Sequence, residues 1–115
     1  MFPKGIKKRA VFLSVTRQGT SVRTKGVVTV CRRLDVPYPL VGYTASRKVG
    51  SAVERNFAKR RMRALVREFC DKFLPGYAFV FIANANTVGM RFADLKMDFV
   101  YSLTKSENSE TRYAR

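Results

Sequence analysis

The sequence predicts a single α+β domain, a two-layer sandwich in which helices cover a small mixed sheet. Four segments are rich in β-branched or aromatic residues and are bounded by Gly or Pro, which is typical of strands. Three other segments repeat apolar residues every three or four positions, which indicates amphipathic helices. The chain has 115 residues, a common size for one domain. The predicted order is helix, three strands, helix, strand, helix.

The first half of the chain is predicted to contain one helix and three strands. Residues 6–17 carry apolar side chains at helical spacing, and Gly19 ends this helix. Residues 21–33 form two strands of a hairpin around a Lys-Gly turn, because β-branched residues surround that turn. After a turn with two prolines, residues 40–46 form the third strand.

The second half begins with a long helix. Ser51 and Glu54 have the spacing of a capping box, in which each side chain satisfies a free backbone N–H at the helix start. The helix is ended by Leu74-Pro75-Gly76. One face is predicted to pack on the sheet because its apolar residues recur at spacings of four, three, four and four: Ala58, Met62, Leu65, Phe69 and Phe73.

Two more elements complete the predicted domain. Residues 77–83 are the most apolar strand, which places it centrally in the sheet. A last helix covers residues 91–103. We expect residues 1–103 to form a single domain. Residues 104–115 are expected to be a polar tail without regular structure.

The charge balance limits the partners. Lys plus Arg number 23 and Asp plus Glu number 8, so the net charge is +15. A polyanion would relieve the self-repulsion, and nucleic acid is the usual one. An anionic membrane is the rival, but no apolar run approaches the ~20 residues of a spanning helix, so no membrane partner is expected. The basic N-terminus is not followed by an apolar signal core, which favours a cytoplasmic protein.

The residue types argue against chemistry by the protein itself. The chain has no His, and Cys31 and Cys70 stand alone without a CxxC spacing, so both are expected to be free thiols rather than zinc ligands. Without His, the usual general base and the usual nucleophile pairs are missing. A protein-only nuclease would need clustered acids, and Asp94 with Asp98 is the only helical i,i+4 acidic pair. We therefore expect no catalytic residue and no metal ligand in the protein.

The densest basic segment lies on the long helix and on the turn before it. Eight of the 21 residues from Arg47 to Arg67 are Lys or Arg, and Glu54 is the only acid among them. Asn56 and Arg60 lie beside a stripe of cations that recur every four residues: Arg55, Lys59, Arg63 and Arg67. Like charges at this spacing destabilise an isolated helix, whereas guanidinium and ammonium groups bind phosphates. The segment therefore predicts contact with RNA or DNA, and a solvated surface helix is the alternative.

The same segment contains a more specific pattern. It consists of Ser46-Arg47-Lys48-Val49-Gly50-Ser51-Ala52-Val53, then Arg55-Asn56, then Lys59-Arg60-Arg61 and Arg63. This pattern resembles the signature of the bacterial ribonuclease P protein subunit, whose central motif is Arg-Asn-Arg followed by Lys-Arg. The similarity covers residues 6–103, and the central block is its specific part.

This resemblance implies that the chain is an RNA-binding cofactor of a catalytic RNA, and that the two together remove the 5′ leader from precursor tRNA. The RNA would perform metal-dependent phosphodiester hydrolysis with divalent ions, magnesium, that it mainly holds itself. The implied partners are the catalytic RNA subunit and precursor tRNA, with no obligate protein partner. Together with Arg67 from the charge pattern, the residues expected to contact the RNA subunit are Arg47, Lys48, Arg55, Asn56, Lys59, Arg60, Arg61 and Arg63.

The resemblance also implies a cleft between the first helix and the sheet that binds the single-stranded leader. Phe12, Thr16 and Val30 stand at the positions that line this cleft in the family. Thr16 and Val30 stand where the family often has aromatic residues, so base stacking would be weaker here. Phe12 is either a base platform or a core residue. An uncommon left-handed strand–helix–strand crossover is implied as well, against the general right-handed rule.

One position of the central motif departs from the family. Phe57 stands where the last Arg of Arg-Asn-Arg is usual, so one phosphate contact is expected to be missing. The side chain points away from the main apolar stripe of the helix, so it packs either on a partner surface or on a second small core.

The residues alone leave one other function open. A structural RNA-binding protein of the ribosomal type, with no role in cleavage, would have similar size, charge and fold class. The RNA that co-purifies with the protein distinguishes the two, because it would be either a catalytic RNA or whole ribosomal subunits.

Overall fold

The computed structural model describes residues 2–113 and confirms the α+β class. Short 3-10 turns at Arg47–Val49 and Cys70–Lys72 flank the longest predicted helix. All predicted strands and helices are present, together with two short elements that the sequence pattern does not show, a strand at Lys4–Gly5 and a helix at Ala85–Gly89. The elements in chain order are β1 (Lys4–Gly5), α1 (Arg9–Gln18), β2 (Thr20–Arg23), β3 (Val27–Arg33), β4 (Leu40–Thr44), α2 (Ala52–Glu68), β5 (Tyr77–Ala83), α3 (Ala85–Gly89) and α4 (Phe92–Tyr113).

Within the described residues, the strands form one mixed sheet in the order β1-β4-β5-β3-β2. β5 lies in the middle, antiparallel to β3 and parallel to β4, so the prediction of a central strand over residues 77–83 is confirmed. β2 and β3 form the predicted hairpin. β4 and β5 are parallel neighbours joined by α2, which makes this segment a strand–helix–strand crossover. Its left-handed sense stays a prediction from the resemblance.

Hydrophobic clusters lie on both faces of the sheet. On one face, Phe81 of β5 packs with Met62 of α2 and Phe99 of α4, and the Phe81 and Phe99 rings stack with 4.7 Å between their centroids. On the other face, Val15 of α1 packs against Val80 and its neighbours. The layer of α2 and α4 on the sheet is the predicted sandwich. α1 adds a partial third layer, because its Val15 is buried against the opposite face and its Val11 and Phe12 are half-buried there.

The predicted apolar stripe of α2 is buried, although the helix is shorter than predicted. Ala58, Met62 and Leu65 are fully buried. α2 ends at Glu68, and the chain passes through a 3-10 turn before Phe73 enters the core, where it is only 3% exposed. The spacing therefore predicts the burial of Phe73 correctly but not its backbone conformation.

A tight turn precedes α2. The Ser51 hydroxyl accepts a hydrogen bond from the Glu54 N–H at 3.2 Å, and the Glu54 carboxylate accepts one from the Ser51 N–H at 3.0 Å, which confirms the capping box. Gly50 has a φ of +146°, and a Cβ at this position would lie 2.5 Å from Oε1 of Glu54. Glycine is thus required here for the Glu54 carboxylate to reach back to the helix start.

Arg61 connects α2 to its neighbours. Its Nη1 donates hydrogen bonds to the carbonyl oxygens of Thr87 at 2.9 Å and of Met90 at 2.7 Å. The guanidinium carbon also lies 5.1 Å from the ring centroid of Phe57 and 5.5 Å from that of Phe92. The structure therefore gives Arg61 an internal role through Nη1, and its contact with RNA stays a prediction. The carbonyls at the end of α3 need a donor, and Arg61 supplies it.

The final helix corrects the prediction for residues 104–115. α4 continues to Tyr113, and residues 114–115 lie outside the described part of the chain. Ser106 and Glu107 are buried. The Ser106 hydroxyl donates to the Leu103 carbonyl at 3.0 Å. Residues that resemble a solvated tail in sequence are thus part of the domain.

Hydrogen bonds to distant elements explain why this polar segment is ordered. The carboxylate of Glu110 accepts from the Thr20 hydroxyl at 2.6 Å and from the Arg33 N–H at 3.0 Å. The carboxylate of Glu107 accepts from the Leu74 N–H at 3.2 Å. These contacts satisfy backbone donors next to the sheet, and local periodicity cannot reveal such long-range partners.

We predict that Arg61 contributes to stability whereas its neighbour Arg60 does not. Arg61→Ala leaves the carbonyl oxygens at the end of α3 without a donor and is expected to lower the free energy of unfolding by about 1–3 kcal/mol. Arg60→Ala, at an exposed position of the same helix, is expected to change it by less than ~0.5 kcal/mol. Urea denaturation of the two variants measures both values. Equal stability of the two variants would contradict the assignment.

We also predict that Glu107 makes stability depend on pH. Burial raises the pKa of Glu107 from 4.5 to about 7, although the Leu74 N–H and Lys72 oppose this. Between these pH values the folded protein keeps a proton on Glu107 that the unfolded chain releases, so its stabilising contribution is full below pH 4.5 and is lost as the pH rises to 7.

The matched variant for this prediction is Glu107→Gln, which keeps an acceptor for the Leu74 N–H. From pH 4.5 to 7 the wild type is expected to lose roughly 1–3 kcal/mol of unfolding free energy relative to the variant. Urea denaturation of both proteins at several pH values measures the difference. A difference that stays constant with pH would show that Glu107 has the same pKa in the folded and unfolded chain.

Candidate nucleic-acid interface

The predicted RNA-binding residues other than Arg61 occupy one flank of α2 and the turn before it. Arg55, Lys59, Arg63 and Arg67 follow one another at i,i+4 spacing along this flank. Asn56 and Arg60 stand three residues before Lys59 and Arg63 and so share the flank. Arg55 and Lys59 are half-buried at the edge of this flank. The others are exposed: Arg47, Lys48, Asn56, Arg60, Arg63 and Arg67.

In the described part of the chain, no carboxylate forms an ion pair with these cations. Among residues 2–113 the ion pairs are Arg91 with Asp94 and Lys96 with Glu68, and neither includes a residue of the basic flank. The side chains therefore remain available for an external anion. An inward orientation onto acidic neighbours would have argued against a nucleic-acid interface.

Tyr43 of β4 supports one of the exposed arginines. The guanidinium carbon of Arg63 lies 5.4 Å from the Tyr43 ring centroid, and the same ring stacks on Phe81 at 6.2 Å. Burial raises the pKa of Tyr43 to about 12, although Arg63 and Arg67 oppose this, so its hydroxyl stays protonated at neutral pH. A neutral, anchored ring beneath a cation holds the cation in place and adds no competing negative charge.

The turn before α2 presents two more cations. Ser46 accepts a hydrogen bond from the Lys48 N–H at 3.3 Å, and Val49 is buried and anchors the turn. Arg47 and Lys48 are thus exposed close to the start of α2. The positive end of the helix dipole lies there too, which favours a bound anion.

The residues expected in the leader cleft are only partly accessible. Phe12 is half-buried, and a Cβ built on Gly42 would lie 3.4 Å from its ring, so the ring packs closely on β4. Thr16 is also half-buried, and its hydroxyl donates to the Leu13 carbonyl at 3.2 Å. Val30 is 3% exposed and lies beneath α1, so the expectation that it lines an RNA cleft is corrected.

A second basic surface lies at the β1 edge of the sheet. Lys4, Lys7 and Lys8 line an open pocket of about 450 Å³ together with Tyr38. Nζ of Lys4 lies 4.3 Å from the Tyr38 ring centroid. The run of cations near the N-terminus is the sequence signal for this surface, but only the pairing of β1 with β4 brings Tyr38 beside it.

Metal-ligating side chains do not cluster in residues 2–113, where no group of three or more Cys, Asp or Glu comes close enough together to hold a metal ion. Cys31 and Cys70 are free thiols, as predicted. Burial raises the pKa of the Cys31 thiol, with Glu107 and Glu110 adding to the shift. In the same part of the chain no helix is both long and apolar enough to cross a membrane.

Comparison with known proteins identifies the family. The family model described as Ribonuclease P matches residues 3–107. The ribonuclease P protein component of Syntrophus aciditrophicus is 34% identical over 107 residues, which are 93% of this chain and 90% of that relative.

Solved structures share the fold. The Staphylococcus aureus RNase P protein mutant with defective mRNA degradation activity has a TM-score of 0.80 at 23% identity, covering 90% of this chain and 87% of that one. The RNase P protein from Thermotoga maritima has a TM-score of 0.77 at 23% identity, covering 89% and 96%. With the family match over most of its length, the chain belongs to the ribonuclease P protein family.

Proposed function

We propose that this chain binds the catalytic RNA subunit of ribonuclease P through the basic flank of α2 and helps it remove the 5′ leader from precursor tRNA. Family membership makes the chain the protein subunit of this ribonucleoprotein endoribonuclease, which acts in tRNA 5′ processing. The observation that carries the proposed surface is the row of exposed and half-buried cations on α2, none of which forms an ion pair with a carboxylate of residues 2–111.

The physical argument rests on preorganisation. α2 is capped at Ser51 and packed on the sheet, so its cations are held at fixed spacing before the RNA arrives. Arginine forks match phosphate oxygens and lysines act as point charges. Binding to phosphates releases counterions from the RNA, and it also removes the like-charge repulsion that α2 bears when free.

The chemistry is proposed to reside in the RNA. The chain has no His, and the described residues bring no set of metal ligands together, so we derive no catalytic step through a protein side chain. We propose that the divalent ions, magnesium, are held mainly by the RNA subunit. The protein contributes positive charge that reduces repulsion between the RNA subunit and its precursor tRNA substrate.

The leader of the precursor is proposed to lie near α1. Phe12 and Thr16 are the half-buried residues of this face that stay candidates for contact. We place the complex in the cytoplasm, where free thiols such as Cys31 and Cys70 are kept reduced.

A purely structural role in another RNA assembly is the alternative, and the family match favours the cleavage cofactor. Pull-down of the protein from its own cells, followed by sequencing of the bound RNA, separates the two. The cofactor is expected to recover the ribonuclease P RNA. Recovery of ribosomal RNA alone would contradict the proposal.

We predict that the purified protein stimulates 5′ cleavage of precursor tRNA by the cognate RNA subunit at low magnesium concentration. The reason is that protein cations replace part of the metal ions needed to screen the two RNAs. Single-turnover cleavage with and without the protein measures the effect. Lys105→Ala, an exposed position on α4, serves as the matched control and is expected to stimulate as well as the wild type. No stimulation at any magnesium concentration would refute the proposal.

We further predict that Arg63→Ala weakens binding to the RNA subunit by roughly 1–2 kcal/mol, because one charge-assisted contact to phosphate is lost. The slope of log affinity against log salt should become shallower by about 1. Filter binding at several salt concentrations measures both quantities. Lys105→Ala again serves as the control, and an unchanged slope in Arg63→Ala would mean that Arg63 does not touch phosphate.

A further inference from the structure

An aromatic pocket opens beside the basic flank of α2, at the position where the family pattern has an arginine. Phe57 is half-buried and forms part of its wall. The pocket measures about 410 Å³, which lies within the usual size range of small-ligand sites, ~300–1,000 Å³. Its lining residues are Val53, Glu54, Asn56, Phe57, Arg60 and Val88.

The apolar part of this pocket is open to solvent beside the cations of α2. Val53 is 77% exposed, the highest exposure among the large apolar residues of the described chain. Val88 of α3 forms part of the opposite wall. A short α3 that is fixed by Arg61 therefore completes a pocket that α2 alone would not have.

The polar groups around the ring suit a nucleotide. The guanidinium carbon of Arg61 lies 5.1 Å from the Phe57 ring centroid, and that of the exposed Arg60 lies 5.7 Å from it. Asn56 is exposed and offers an amide donor and an amide acceptor. The carboxylate of Glu54 is already bonded to the Ser51 N–H, and this hydrogen bond lowers the pKa of Glu54, so the carboxylate stays ionised at the helix start.

We propose that this pocket binds one unpaired nucleobase of the RNA subunit, stacked on Phe57; the proposal rests on the function proposed above. Asn56 hydrogen-bonds the edge of the base, and Arg60 binds the phosphate of the same nucleotide. Unpaired bases in RNA are recognised in this way, by stacking on aromatic rings and by hydrogen bonds to their edges. Phe57 would thus contact a base, where the arginine usual at this position of the family would contact a phosphate.

A protein segment is a poorer occupant than a base. The apolar lining consists of three side chains, Val53, Phe57 and Val88, whereas a stable protein interface buries about 1,200–2,000 Å². The pocket also borders a surface of unpaired cations, which suits a group that carries a phosphate. A nucleotide combines a flat apolar ring and a negative charge in one unit.

The test compares three full-length proteins bound to the refolded RNA subunit: wild type, Phe57→Leu and Phe57→Trp. Leu keeps an apolar side chain in the pocket lining but cannot stack on a base, whereas Trp can. Phe57→Leu is expected to weaken affinity roughly five- to hundredfold. The salt slope should stay unchanged, because no phosphate contact is lost. Phe57→Trp is expected to bind within a few-fold of wild type.

Base-specific chemical probing of the same complexes locates the contact. One unpaired base should be protected by the wild type and by Phe57→Trp, and should become reactive in the complex with Phe57→Leu. Thermal melting of each free protein checks that the fold is kept, and Arg63→Ala serves as the reference for a phosphate contact.

The outcomes separate this inference from the proposed function. If Phe57→Leu binds like wild type while Arg63→Ala binds more weakly, the base pocket is wrong and the basic flank stands. If neither variant weakens binding, the basic flank itself is wrong. A lower salt slope in Phe57→Leu, or a changed sedimentation of the free protein without a change in RNA affinity, would also overturn the base pocket.

Discussion

The burial of one face of α2 against the sheet determines the direction of every cation on that helix. Ala58, Met62 and Leu65 are completely buried beneath it. If the residue after each of these three faced the sheet instead, the helix would be rotated by about 100°. Cations such as Lys59 would then lie in the core. A buried unpaired charge costs several kcal/mol, so this alternative is excluded. The packing of apolar residues thus fixes the geometry of a surface made of charged ones.

The acidic residues of the chain are largely used inside the domain. Glu54, Asp98, Glu107 and Glu110 each accept a hydrogen bond from a backbone N–H at a helix start, a turn or a strand. Glu68 and Asp94 pair with other cations. In these contacts none of the six carboxylates pairs with a cation of the basic flank. The cations of the basic flank are therefore exposed or half-buried on a packed helix, without a carboxylate partner in the described residues.

The cations of α2 differ in role although their residue types are similar. Arg61 is directed at the carbonyl oxygens of α3, Arg63 lies over Tyr43, and Arg60 is exposed beside Phe57. The contact of Arg61 is internal and holds α3, whose Val88 lines the pocket beside Phe57. Arg60 and Arg63 keep N–H donors available for a ligand. Helical position determines this division, because each side chain faces a different neighbour. Structural support and RNA contact can thus come from adjacent residues of one motif.

The sequence by itself determined the fold class, the central strand, the capping box and the basic flank, because these depend on local spacing and charge. The tertiary structure decided the rest. Burial of Val30 beneath α1, the carbonyl contacts of Arg61 and the extension of α4 to Tyr113 all depend on partners far along the chain. A polar residue such as Glu107 gives the same local pattern in a tail and in a core. A solvated tail and a buried position differ only in whether a donor from elsewhere in the chain reaches the carboxylate. Burial of a polar group without a hydrogen bond costs free energy, so the donor decides between them.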